Sequence, residues 1–494
     1  ENWILAAREG AKAVVFIEPQ DVFREEFRMK VLSDVPYNFP RFYIRAQDAQ
    51  RLINLLTGGD VTVKVQSEMR WETVEAENVM AVIPGTKYPD QYILLTSHYD
   101  SFSYVPALAP GAEQAVGVST ILEMARYFKE NQSPYTLLFV AFTGTYQGLV
   151  GSRWFVKENV LDKYATFGKN IILILNLEII TETRSLAPTV SGMLYTQGEG
   201  VAPWVREIQT YILNLKEPIE RQLGEKFRVY GEGLATTLTT FYFNRQWYNI
   251  FGDLPLPLDN EPFDAIGAPA VGWVSAYMAG KWWGTPLDIS EHLNYQNLQH
   301  QLKYLYSIFH ALTNTYDLRP TYVKGWEPEY GGRVSGGPQW VSAYGKVAEY
   351  DVQAGWYKPV PNAVVATYCG SGITQGINGM RLLSGWIYTD TDKDGKFYLP
   401  GLTAVAEIGS YFIAAFKVDP ETGNVIYAPD FGKYWIAGEQ IRHTTINSWT
   451  PITRNNFDFG TYTVFRCGSL VLFDIVDYTH LSLPVDASLQ ISIY

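Results

Sequence analysis

Three phrases decide the fold: Tyr92-Ile93-Leu94-Leu95-Thr96-Ser97-His98-Tyr99-Asp100, Pro110-Gly111-Ala112-Glu113-Gln114-Ala115-Val116-Gly117, and Leu137-Leu138-Phe139-Val140-Ala141-Phe142-Thr143-Gly144-Thr145-Tyr146-Gln147-Gly148-Leu149-Val150-Gly151-Ser152. Both apolar runs are short and end in polar or glycine clusters, and the amphipathic segment Val118 to Glu130 lies between them. That order predicts β-loop-α-β. In open α/β sheets the chemistry sits at the carboxyl ends of the strands. His98, Asp100, Glu113 and the Thr145-Tyr146 pair all fall at such ends.

Further along come Leu175-Asn176-Leu177-Glu178, Asp259 to Phe263, Gly267-Ala268-Pro269-Ala270 and Thr285-Pro286-Leu287-Asp288. In this order and spacing the phrases resemble the co-catalytic di-zinc aminopeptidases, which share their fold with glutaminyl cyclases, transferrin receptor and nicastrin. The resemblance covers roughly residues 60 to 316. It implies a mixed, mostly parallel sheet with flanking helices. One metal of the family's pair is held by a His, a bridging Asp and a second Asp; the matching positions here are His98, Glu113 and Glu178. Asp100 matches the residue that lies behind the His ligand and orients its ring. The other metal's Glu and His fall on Tyr146 and Gly284, and the general base falls on Thr145.

Those departures decide what chemistry to expect. The family's mechanism uses two cations to acidify a bound water and polarise a carbonyl, while a carboxylate shuttles the proton. A threonine hydroxyl does not accept a proton near neutral pH, a phenol with a pKa of about 10 is a poor ligand there, and glycine has no side chain. Losing the general base alone removes roughly 10²–10⁴-fold in rate. The residues therefore predict a catalytically degenerate peptidase fold. The trio His98, Glu113 and Glu178 reads either as a hydrogen-bonded remnant or as a single zinc site with Asp100 behind it. Glutaminyl cyclases keep the bridging acid, the Glu and the distal His, and two of those three are missing here.

Composition sets the outer bounds. At 494 residues, 47% apolar and 15% aromatic, the chain has material for about three domains. Charged residues make up 18%, tyrosines number 34, and the net charge is −12. No basic block interleaves with aromatics, which argues against nucleic-acid binding. Apolar stretches such as Ile171 to Leu175 are too short to span a bilayer. The chain opens on Glu1 without a Met or a basic-then-apolar leader, the expectation for a processed or truncated product. Cys369 and Cys467 permit one disulfide without requiring it. The sequon Asn131-Gln132-Ser133 is followed by Pro134 and says little about secretion.

Four regions follow. Residues 1–60 read as a small α/β unit, with a helix from Trp3 to Gly10, a strand from Ala11 to Ile17, an extended Phe39 to Ile44 and a helix from Ala46 to Leu56; this resembles the second half of a protease-associated domain. Residues 61–316 are the aminopeptidase-like domain, starting with a strand at Val61-Thr62-Val63-Lys64-Val65. It closes on Asp288-Ile289-Ser290-Glu291, which has capping-box form, ahead of a helix carrying Leu298, Leu302, Leu305, Ile308 and Leu312. His292, His300 and His310, on or near that helix, have no partners at ligand spacing and read as packing or surface residues. Residues 317–338, rich in Gly, Pro and aromatics, read as a linker. Residues 339–494 predict an all-β sandwich that resembles the carboxypeptidase regulatory-like modules. In it, Asp390, Asp392, Asp394 and Gly395 match the first half of a calcium loop, but Gly401 stands where the bidentate acid belongs. A plain hairpin turn and a calcium site both remain open there.

Three functions fit. The first is an extracellular or cell-surface protein that uses a peptidase fold as a structural or binding body, through protein partners or self-assembly. The second is a one-metal aminopeptidase-like hydrolase on peptides, with Asp259 or Glu261 as the replacement base. The third is a peptide- or glycan-binding receptor whose cleft presents Trp282, Trp283 and Tyr99.

Overall fold

The computed structural model describes residues 2–17, 39–68, 70–103, 106–189, 203–229, 258–275, 282–315, 340–351, 353–371, 387–403, 409–423, 444–445, 463–467 and 470–477. The linker expected at 317–338 lies outside these residues. The first unit consists of α1 (Asn2–Arg8), β1 (Val14–Ile17), β2 (Arg41–Ile44) and α2 (Ala46–Thr57). Its two strands pair in parallel, and the Arg41 guanidinium lies 4.2 Å over the Trp3 ring, which stacks on Phe39.

The second unit is built on six strands: β3 (Val79–Ile83), β4 (Tyr88–His98), β5 (Tyr135–Phe142), β6 (Ile171–Glu178), β7 (Leu186–Thr189) and β8 (Ala270–Ser275). Their order is β3-β5-β4-β6-β8-β7. The four inner strands run parallel, and β3 and β7 close the two edges antiparallel. This is the mixed, mostly parallel sheet that the apolar runs imply. Around it run α3 (Val116–Glu130), α4 (Val150–Phe155), α5 (Pro203–Leu223), α6 (Glu261–Ala265) and α7 (Tyr295–Asn314).

Alternation along each strand divides the core. Ile93 and Leu95 pack with Leu173, Leu175, Ile308 and Phe309 on one face, while Leu94 packs with Val140, Phe142, Ile174 and Phe263 on the other. All are buried, each side chain contributing roughly 1.5–3 kcal/mol of transfer free energy. Gly117 lets α3 sit directly on the sheet: a Cβ there would lie 2.4 Å from Ser97 Oγ and 2.8 Å from the Leu177 carbonyl oxygen.

Two expectations are corrected. Residues 61–65 form no strand; the segment is exposed and has no ladder partner among the described residues. The Asp288 box does not cap the closing helix. Asn294 does so, its side chain accepting from Asn297 N, while Asp288 turns inward to receive Glu113 N at 2.8 Å.

Among the described residues the remainder is all-β, with every pairing antiparallel. Strands β9 (Trp340–Asp351), β10 (Trp356–Pro359), β11 (Ala363–Ser371), β12 (Ile387–Asp390), β13 (Lys396–Thr403), β14 (Gly409–Lys417), β15 (Thr444–Thr445), β16 (Thr463–Cys467) and β17 (Leu470–Asp477) form two sheets. Cys369 and Cys467 lie on strands of different sheets, and their side chains fall outside the described residues. At the expected calcium loop, Asp392 Oδ1 accepts from Asp394 N at 2.9 Å and Lys396 N at 2.8 Å. Asp390 accepts the Thr73 hydroxyl at 2.5 Å. Two of the three acids therefore serve a turn and a strap.

That strap holds the two larger units together. Trp71 lies edge-on against Tyr388 and Phe416 with ring centroids 4.9 and 5.2 Å away, and its N–H donates to Gly423 O. At a second contact, fully buried Arg153 of α4 donates Nε–H to Gly148 O at 2.5 Å, and its Nη1 donates to the carbonyls of Pro400 and Gly401.

Candidate active site

His98 ends β4 and Glu178 ends β6, so the parallel sheet delivers both side chains to its carboxyl edge. His98 Nε2 lies 2.9 Å from Glu178 Oε1, and Nδ1 lies 2.8 Å from the Asp100 carbonyl and 3.4 Å from its carboxylate. The Asp100 carbonyl can only accept, so Nδ1 carries a proton toward it, while Nε2 shares one proton with the Glu178 carboxyl. Burial alone would lower the pKa of this imidazole. The Glu178 charge and the hydrogen bonds to Asp100 and Glu178 outweigh burial and hold it well above the ordinary histidine value.

Glu113, in the loop before α3, is also buried and also occupied. Thr181 donates both its N–H and its hydroxyl to the two carboxylate oxygens, each at 2.6 Å. Burial nonetheless pushes this carboxyl up to about 7 against those two bonds. Thr181, three residues past Glu178, went unnoticed in the sequence. The only available signal was a hydroxyl just beyond a strand end that carries a carboxylate.

Thr145, at the general-base position, points its hydroxyl at Asp259 Oδ2 at 2.8 Å, and Ser152 donates to the other Asp259 oxygen at 2.6 Å. Asp259 is fully buried, and burial pushes it up to about 7 despite Ser152, the His98 charge and Thr145. The Thr145 N–H donates to Asp100 Oδ2 at 3.0 Å, tying the two loops together. Glu261 is buried in the first turn of α6.

Tyr146 Oη stands 3.4 Å from His98 Nε2, and burial pushes its phenol above the usual tyrosine range. Its ring joins Phe102 and Trp283, with centroids 5.5–5.7 Å apart, over the His98 ring. Gly284, at the second metal's His position, is buried at φ 74°, in a turn where Thr285 N donates to Trp282 O at 3.0 Å. Trp283 belongs to this apolar plug, Trp282 stacks on His292, and Tyr99 is exposed and donates to Glu77 O. His300 pairs with Glu225 and His310 with Tyr127, away from the strand ends.

The arrangement does not fit a zinc centre. Among the described residues no three His, Cys, Asp or Glu side chains gather as a metal would require. His98 Nε2 faces Glu178 Oε1 at 2.9 Å, and Glu113 accepts both Thr181 donors. Glu178 Oε2 is left buried without a hydrogen bond. What the cluster can do is hold a proton between His98 and Glu178, beneath a lid of aromatic rings.

Residues 78–308 match the profile of Peptidase family M28. A probable zinc metalloprotease of Pyrenophora teres f. teres is 33% identical over 117 residues, covering 23% of this chain and 24% of that protein. A glutamate carboxypeptidase 2 homolog of Caenorhabditis elegans is 30% identical over 139 residues, covering 26% of this chain and 16% of the relative. The matches thus span about a quarter or less of the length of these curated relatives. Of solved structures, the Bacillus subtilis zinc aminopeptidase BSAP covers 65% of this chain and 68% of its own at 16% identity and a TM-score of 0.37. The aminopeptidase of Aneurinibacillus sp. strain AM-1 covers 64% and 66% at 22% identity and a TM-score of 0.35.

Proposed function

For a chain whose residues 78–308 match Peptidase family M28, we propose that the peptidase fold serves as a structural or binding body, extracellular or at a cell surface, without di-zinc hydrolysis. One observation carries this reading: His98, Glu113 and Thr145 are already engaged with neighbours of the same chain. His98 is held between Asp100 and Glu178, Glu113 accepts both Thr181 donors, and Thr145 donates to Asp259 where a base would accept. Tyr146 closes the space above with Phe102 and Trp283. Zinc at this position would first have to break the contact between His98 Nε2 and Glu178.

The test is elemental analysis of the native protein beside an aminopeptidase assay, with and without added zinc. The expected outcome is substoichiometric zinc and no hydrolysis above background. Stoichiometric zinc, with hydrolysis that His98→Ala abolishes, would replace this reading with a one-metal hydrolase whose base is Asp259.

A further inference from the structure

Among the described residues, the β3 edge of the six-stranded sheet carries no charge, no proline within the strand, no bulge and no covering strand. Natural edges carry charge, proline, bulges or a covering element. β3 reads Val-Met-Ala-Val-Ile, pairs with β5 in unbroken register, and ends the sheet, so its outer backbone row has no ladder partner among the described residues. Most of its side chains are exposed, Val79 by 60%, Met80 by 53% and Val82 by 58%, while Ile83 packs partly against the core.

We propose that β3 is a self-association edge, pairing antiparallel with β3 of a second copy of this chain about a two-fold axis at Ala81. Charge favours this occupant. β3 is uncharged in a chain of net charge −12, so it is a place where two like-charged copies can approach. Exposed Glu72, Glu75 and Glu77 precede the strand and exposed Lys87 follows it. Antiparallel pairing about Ala81 brings the acidic approach of one copy alongside Lys87 of the other, and sets Val79 opposite Ile83 and Met80 opposite Val82. A two-fold contact of this kind is closed and self-complementary. The proposal deepens the assembly half of the reading above and is independent of its chemical half.

Sedimentation of the full chain across a micromolar concentration series tests it. Wild type should reversibly form dimers. Val82→Lys, at an exposed position, should weaken dimerisation at least about tenfold with an unchanged thermal midpoint. Ala81→Cys should give a disulfide-linked dimer on oxidation that wild type does not, because opposed residues on an antiparallel axis lie within disulfide reach. A wild type monomeric throughout, a Val82→Lys dimer as tight as wild type, or no covalent Ala81→Cys dimer would overturn the proposal. Zinc content and hydrolysis would move in none of these cases, so failure here is distinguishable from failure of the chemical reading.

Discussion

Asp259, Glu113 and His98 all hold their protons more tightly folded than unfolded, and that common sign sets a pH dependence. The two carboxyls rise from ordinary values of 3.8 and 4.5 to about 7, and the imidazole rises above 6.5. Between those limits the folded state binds more protons than the unfolded one, so stability is lost as pH rises from about 4 through 7, and further as His98 deprotonates. Thermal midpoints should be higher at pH 5 than at pH 8. Asp259→Asn, which resembles the protonated acid between the Ser152 and Thr145 hydroxyls, should match wild type at pH 5 and shrink the loss at pH 8 by on the order of 3 kcal/mol; an unaltered slope would contradict this. The substitutions at Thr145, Tyr146 and Gly284 were legible in the sequence, because they change residue type. The capture of Glu113 by Thr181 was not, because it depends on where a hydroxyl 68 residues away comes to rest.

At the scale of elements, the parallel heart of the sheet was readable because Ile93, Leu94 and Leu95 are apolar on both faces, which only a strand covered on both sides allows. Val61–Val65 misled for the complementary reason: alternation marks a strand only when a neighbour supplies the ladder. Arg153 gave no sign of its role, since an arginine on a short helix ordinarily reaches water. Here α4 directs it through the loop that carries Thr145 and Tyr146 into the bend of β13. Arg153→Met keeps the apolar stem and removes three carbonyl bonds, and should cost roughly 2–4 kcal/mol in urea unfolding. A loss below about 0.5 kcal/mol would show that the guanidinium is not needed there.

Across the whole molecule, the aminopeptidase-like and β units are fastened at two separate places, the Arg153 contact and the Trp71 strap. Calorimetry should therefore record one cooperative transition covering both units. Trp71→Ala removes an indole held between two rings, worth about 2 kcal/mol, and should split that transition into two; a single unchanged peak would mean the Arg153 side suffices. Trp71 also bears on where this protein can be cut. It precedes β3 in sequence yet lodges in the β unit, so the spatial border between the units does not coincide with any single point in the chain. Severing the backbone after Ile83 would leave the tryptophan and its strap with the wrong partner, and a fragment starting at Val79 would uncover the rings of Tyr388 and Phe416. Excision at the apparent boundary would leave both halves with freshly bared aromatic surface, whereas a nick between Thr73 and Val79 would leave Trp71 seated and the two pieces still clasped.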